Sequence, residues 1–183
     1  MGKPMFTLNI GPDLQLAIVQ PSFANCYLEI VTVERAYLSK WLPWAAEAND
    51  EAFFLEFIRK SLLGYAEGKS MTCAIIYQHT VVGNVSFNSI VQELKKVEVG
   101  YWLSEKYQGS GIVTKAVSFL IEYAFSELNM KKVEICAAVD NSSSRRVCER
   151  LNMTLEGIIS NRENVNGEII DHAVYGIHRT DLR

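Results

Sequence analysis

VEVGYWLSEKYQGSGIVTKAV, residues Val97 to Val117, runs a strand, a polar loop and a helix start into one another. Alternation sets Val97, Val99, Tyr101 and Leu103 on one side and Glu98, Gly100 and Trp102 on the other, the period of a strand. The loop Gln108-Gly109-Ser110-Gly111-Ile112-Val113 then brings Gly109 and Gly111 to the start of a helix. Glycine lets the backbone turn and approach a ligand closely, and the first amides of a helix lack intrahelical partners. Those amides and the positive end of the helix dipole point at one spot, which suits a phosphate.

Two nucleotide-binding motifs fail on this stretch and its neighbours. The dinucleotide fingerprint needs three spaced glycines, and beyond Gly109 and Gly111 the chain offers Lys115 and Ala116. Gly68-Lys69-Ser70 has the right end for a phosphate-binding P-loop, but Leu63 stands where the earlier glycine is required, with Gly64 one place on.

Working outward, Val113, Ala116, Val117, Leu120, Ile121, Ala124 and Leu128 hold a helical stripe that packs on a sheet. KVEICAAV (132 to 139) follows as a strand, so strand 97 to 103, this helix and strand 132 to 139 form a right-handed parallel βαβ crossover. Upstream, MTCAIIYQ (71 to 78), VVGNVSFNSI (81 to 90) and ELKKVEVGYWL (93 to 103) read as an antiparallel meander. Before it, DLQLAIVQ (13 to 20) is expected to be the first strand, with Ser22 capping a helix over residues 23 to 36. Tyr37 to Trp44 reads as a short helix closed by Pro43, and Asn49-Asp50 caps a third helix that Gly68 ends. Asp140-Asn141 opens a helix over SSSRRVCERL, and Asn166-Gly167 turns a C-terminal hairpin. The expectation is one α/β domain over residues 1 to 183, with a mixed central sheet and flanking helices.

A chain of 183 residues, 49% of them apolar, is enough for one domain with a core. Net charge is −3 and the pI near 5.7, with no Lys/Arg run longer than a pair, which speaks against direct nucleic-acid binding. Cys26, Cys73, Cys136 and Cys148 form no C-x-x-C pair, and His79, His172 and His178 show no ligand spacing. Reduced thiols, no metal and a cytoplasmic location are the expectation. MGKPMFTLNI lacks a leader's apolar core, Phe6 stands where a myristoylation motif wants Ser or Thr, and no apolar run approaches a membrane span.

The loop from Gln108 to Val113 resembles that of the GNAT acetyltransferases, Gln/Arg-x-x-Gly-x-Gly/Ala, with Val113 in place of the usual last Gly or Ala. The order of elements resembles that family from the first strand to the last. The closer resemblance is to the RimJ/RimL type, which acetylates ribosomal-protein N-termini. It is carried by Trp41-Leu42-Pro43-Trp44, Asn141-Ser142-Ser143-Ser144, Leu155-Glu156-Gly157, and Asn166-Gly167-Glu168 with Asp171 and Tyr175.

This resemblance implies an acetyl-CoA-dependent N-acetyltransferase. Gln108, Gly109, Ser110, Gly111, Ile112 and Val113 would hold the pyrophosphate, and the pantetheine arm would enter a gap beside Tyr101, Trp102 and Leu103, with Asn141 near it. It also implies Glu163 as general base, in a place shielded by an apolar sheet, and Ser144 as partner of the departing thiolate. Many relatives use a tyrosine seven residues after the Asn, where this chain has Cys148. Acetyl-CoA and an amine acceptor are the implied partners, the acceptor being a protein N-terminus, with homo-oligomerisation common in the type. A polyamine, amino sugar or other small amine is the alternative acceptor.

Other readings of single residues stand beside these. Glu163 is also an ordinary hairpin carboxylate, and Ser144 an ordinary first-turn cap. Cys148 lacks a paired histidine for nucleophilic work. His172, beside Asp171 on a strand, points away from it and reads as structural. Tyr37, Trp41 and Trp44 suit either an acceptor cleft or plain packing. A second class of function, an acetyl-CoA-binding module without turnover, is suggested by Val113 and the absent tyrosine.

Overall fold

The computed structural model describes residues 6–181; residues 1–5, at the start of the stretch read above for a leader, lie outside them. Among the described residues, one sheet of eight strands has the order β1-β2-β3-β4-β5-β6-β8-β7. In chain order these strands are β1 (Leu8–Gly11), β2 (Leu14–Ile18), β3 (Met71–Tyr77), β4 (Thr80–Val91), β5 (Lys96–Leu103), β6 (Lys132–Ala138), β7 (Thr154–Val165) and β8 (Glu168–His178). The helices are α1 (Ala24–Leu38), α2 (Trp44–Glu47), α3 (Glu51–Ala66), α4 (Ile112–Ser126) and α5 (Ser142–Arg150). β3, β4 and β5 make the expected antiparallel meander, and β5, α4 and β6 the expected parallel crossover.

Period-2 alternation splits the core between the two faces of the sheet. Val97, Val99 and Leu103 of β5 and Val133 and Ile135 of β6 face α4, whose buried stripe is Ala116, Val117, Leu120, Ile121 and Ala124. The opposite face carries α1 and α3, where Tyr27 and Phe54 are buried and Tyr27 meets Trp102 of β5 edge-on at 5.5 Å. The Tyr27 hydroxyl accepts a hydrogen bond from Asn84 Nδ2 at 3.2 Å, so its polar end is not left unpaired in the core. At α3 the expected cap is present: the Asp50 carboxylate accepts from the Phe53 amide at 2.9 Å.

Three local expectations are corrected. A strand precedes the expected first one, because Leu8–Gly11 turns at Asp13 (φ 56) and pairs with β2 as a short edge. Its side chains are mostly exposed, so it carries no burial pattern to read. Ser22 is not a helix cap; Pro21 starts a 3-10 turn over Pro21–Phe23 that puts Ser22 inside the winding, where its hydroxyl accepts from Gln20 Nε2. Tyr37 and Leu38 finish α1 rather than opening a new helix, and Pro43 precedes α2 instead of closing one. Proline is tolerated at a helix start because the amide it lacks would be unpaired there.

Gly83 fixes how closely β4 and β5 pack where Gly83 pairs with Leu103. A Cβ there would lie 2.3 Å from the Trp102 carbonyl oxygen and 2.9 Å from Leu103 Cα, both backbone atoms. Gly83→Ala is therefore expected to lower unfolding free energy by about 1–3 kcal/mol, read as a lower urea midpoint. An unchanged midpoint would show that β5 yields at no cost.

Candidate active site

β5 and β6 begin as a parallel pair and then part. Their pairing is confined to Lys96↔Lys132, Val97↔Val133 and Glu98↔Glu134. Each strand stays paired on its other side, β5 with β4 as far as Leu103↔Gly83 and β6 with β8 as far as Ala138↔His172. A bulge helps turn β5 away: register shifts between Phe87 and Ser89, leaving Asn88 as the extra residue of β4. Gly100 makes room for it, since a Cβ there would sit 2.4 Å from Asn88 Nδ2. The result is an internal sheet edge, with backbone donors and acceptors open on facing strands.

This gap is part of a cavity of about 1710 Å³. A pocket for one drug-sized molecule is about 300–1,000 Å³, so there is room for two substrates. On the α4 side, Gly109 and Gly111 both have positive φ, 74° and 72°, and no atom lies within 4 Å of where either would carry a Cβ. Gly111 is the N-cap of α4, and the first helical bond runs from the Lys115 amide to its carbonyl. The amides of Ile112, Val113 and Thr114 precede that bond and lack intrahelical partners. Val113 packs its side chain against the core. Gln108 Nε2 donates to the Tyr37 hydroxyl, which ties the glycine loop to the end of α1. Ser110 is exposed in the same loop.

Glu34 makes a second tie that sequence reasoning missed. Its carboxylate accepts from the buried Ser104 hydroxyl at 2.7 Å and from the Glu105 amide at 2.8 Å, anchoring the chain where it leaves β5. Only contacts across the fold give Glu34 this role, so it has no local signal.

At α5 the Asn141 side chain is the helix cap, its Oδ1 accepting from the Ser144 amide at 3.1 Å. That releases the Ser144 hydroxyl, which lies 2.8 Å from the Tyr101 hydroxyl. Tyr101 thus supplies a phenol beside Ser144 from β5. Burial holds that phenol well above the usual tyrosine range, so it stays protonated. Cys148 is buried, and desolvation pushes its thiol up to about 12. A buried, protonated thiol is a poor nucleophile.

Glu163 of β7 and His172 of β8 also line the cavity, as do Trp41 and Trp44. Glu163 is less shielded than expected, with 39% of its side chain exposed. The expected separation of Asp171 and His172 holds: the Asp171 carboxylate accepts from the Asn161 amide at 2.9 Å, while His172 faces the cavity. His172 Nε2 lies 3.2 Å from Glu163 Oε2. Asn166 Nδ2 donates to the Ser39 carbonyl at 2.7 Å, fastening the hairpin tip to the end of α1.

The fold also brings Glu98, Glu134 and Cys136 ligand atoms within 4.8 Å of one another. Lys96 (3.1 Å) and Lys132 (3.0 Å) already hold the Glu134 carboxylate, and burial pushes the Cys136 thiol up to about 11. A metal-binding thiolate needs the opposite shift.

Cys148→Ala is expected to keep kcat within about threefold, because no covalent step uses the thiol. A loss of several orders of magnitude with folding intact would restore a covalent route.

Comparison with known proteins places this geometry in a family. Residues 20–154 match the acetyltransferase (GNAT) domain. A Bacillus subtilis (strain 168) protein named "Putative ribosomal N-acetyltransferase YdaF" is 32% identical, over 94% of this chain and 95% of that one. The RimL ribosomal L7/L12 alpha-N-protein acetyltransferase, solved in complex with coenzyme A, superposes with a TM-score of 0.91 at 25% identity, over 96% of this chain and 99% of that one. The microcin C7 self immunity acetyltransferase MccE, solved with acetyl-CoA and AMP, superposes at 0.89 and 30% identity, over 92% of this chain and 94% of that one. The chain belongs to the GNAT family of acetyl-CoA-dependent N-acetyltransferases.

Proposed function

We propose that this acetyltransferase moves the acetyl group of acetyl-CoA directly to the N-terminal α-amine of a protein, with both substrates bound at once. The observation that carries the reading is the parted β5–β6 edge with Ser144 and Glu163 in the wall of the same cavity. The ribosomal acetyltransferase relatives support the acceptor class.

In this reading the amides of Gly111, Ile112 and Val113 receive the pyrophosphate, aided by the α4 dipole. The open backbone of Tyr101, Trp102 and Leu103 pairs with the amides of the pantetheine arm, as an added strand would, and Asn141 flanks that arm. The α-amine asks little of a base: at pH 7 its deprotonation costs about 1.4 kcal/mol, against about 4.6 for a lysine side chain. The amine attacks in its neutral form, having lost one proton to solvent. Glu163 accepts the second as the C–N bond forms and the carbonyl oxygen takes the electron pair, whose return breaks the C–S bond so that the sulfur leaves as thiolate. Ser144 donates to that thiolate while its own oxygen accepts from Tyr101, so the hydroxyl pair offsets the missing tyrosine at position 148.

A cytoplasmic, homo-oligomeric enzyme built from a single domain belongs to the same proposal. The free cysteines suit a reducing compartment, and edge strand β7 exposes Leu155, Ile158 and Ile159 for pairing with a second copy.

The test is CoA release from acetyl-CoA with peptides bearing free N-termini, N-blocked lysine peptides and polyamines. Free N-termini are expected to be the acceptors. Glu163→Gln should lower kcat by about 10²–10⁴ with acetyl-CoA affinity unchanged, and Tyr101→Phe by about 2–10-fold, the worth of one hydrogen bond. Turnover of polyamines or lysine peptides alone would remove the acceptor assignment. Binding of acetyl-CoA with no acceptor turned over would favour the binding module.

A further inference from the structure

Among the described residues, His172 is the side chain whose buried polar atoms find no hydrogen-bond partner. Both ring nitrogens are buried without a hydrogen-bond partner among the described residues. Nε2 lies 3.2 Å from Glu163 Oε2, close enough for a hydrogen bond but off its direction. A buried polar atom left unpaired costs about 1–3 kcal/mol, and in folded proteins such atoms are few. Plain core packing gives no reason to place an imidazole here, since an apolar ring would pack without that cost.

The backbone around the pair is built to bring the two side chains together. Ile159 pairs with His172, but Glu163, four positions on, pairs with Ile170, only two positions away on β8. The extra residues of β7 form a bulge containing Asn161 at φ 52, and the Asp171 carboxylate pins it through the Asn161 amide. Paired residues share a face in an antiparallel sheet, so Glu163 and His172 both point to the side of the cavity. Asp171 therefore fixes the bulge from one face, and His172 meets the carboxylate on the other.

We propose that His172 is the positioning residue of Glu163: a small rotation of the ring lets Nε2–H donate to Oε2 and hold the carboxylate toward the acceptor nitrogen. The inference rests on the reading of Glu163 as the base. It assigns the bulge and the pair Asp171-His172 to the orientation of one carboxylate that would otherwise sweep the solvent-facing side of the cavity. Preorganising a base in this way raises the fraction of encounters in which the proton can leave. His172 moves no proton in this scheme; the proton that the amine loses on attack goes to Glu163.

Two readouts test it, one independent of any acceptor. With ¹⁵N-labelled histidine, Glu163→Gln is expected to move the Nε2 resonance of His172 and leave those of His79 and His178 in place. For turnover, His172→Phe should lower kcat about tenfold or more with the KM for acetyl-CoA unchanged, and His172→Gln, which keeps an N–H, should recover part of it. In the Glu163→Gln background the same His172→Phe change should cost less than about twofold, because its effect runs through that carboxylate. An unmoved Nε2 resonance, or equal losses in the two backgrounds, would overturn the assignment. If the resonance moves and the losses are non-additive with a polyamine or lysine peptide as the acceptor, the pair stands and the N-terminal acceptor reading falls. If no acceptor works at all, the resonance alone decides for or against the pair.

Discussion

Two strands that begin hydrogen-bonded and then separate are the constraint on which this molecule depends. Parallel strands normally stay paired along their length, because an open backbone edge inside a sheet leaves donors and acceptors unsatisfied. Here β5 and β6 meet over Lys96 to Glu98 and Lys132 to Glu134 and then diverge, each held by its outer neighbour. The Asn88 bulge and the missing side chain of Gly100 let β5 turn, and Glu34 and Tyr37 tie the loop beyond it to α1. Separate helical layers pack on the two faces of the sheet, and in the proposed reading the lost ladder bonds fall to the pantetheine arm to replace.

The same parting divides the chemistry. Tyr101 and Ser144 form a hydroxyl pair on the α4 and α5 side, and Glu163 and His172 form a carboxylate and imidazole pair in the cavity wall carried by the C-terminal hairpin. In the proposed reaction the first pair would meet the departing sulfur and the second the arriving nitrogen, which is what amide formation from a thioester needs. Trp41 and Trp44 line the cavity, and Trp44 also packs against Phe53, Phe54 and Trp102, so packing and lining go together there.

How much of this was legible follows from which interactions are local. The glycine turn into α4, the Asp50 cap and the Asn166-Gly167 turn are written within a few residues of each other and form as read, as does the α4 stripe up to Ala124, while Leu128 lies beyond the helix end at Ser126. The alternation in β5 also holds: Val97, Val99 and Leu103 lie under α4, and Trp102 lies among the α1 and α3 aromatics. The contacts of Glu34, Tyr101 and His172 were not legible because their partners lie far along the chain or across a bulge. His172 shows this most clearly, since alternation correctly turned it away from Asp171, but only the irregular register of β7 reveals that it turns toward Glu163. Pro43 misled for a different reason. It was read as a stop, whereas proline also starts helical turns, and the sequence does not choose between the two.

Amide hydrogen exchange with and without CoA addresses the central claim, that the parted edge and the α4 start together form the cofactor site. The expected result is slowed exchange confined to Tyr101, Trp102 and Leu103 and to the loop from Gln108 to Val113. Binding of CoA that leaves these amides unchanged, or that protects α1 and α3 instead, would contradict it.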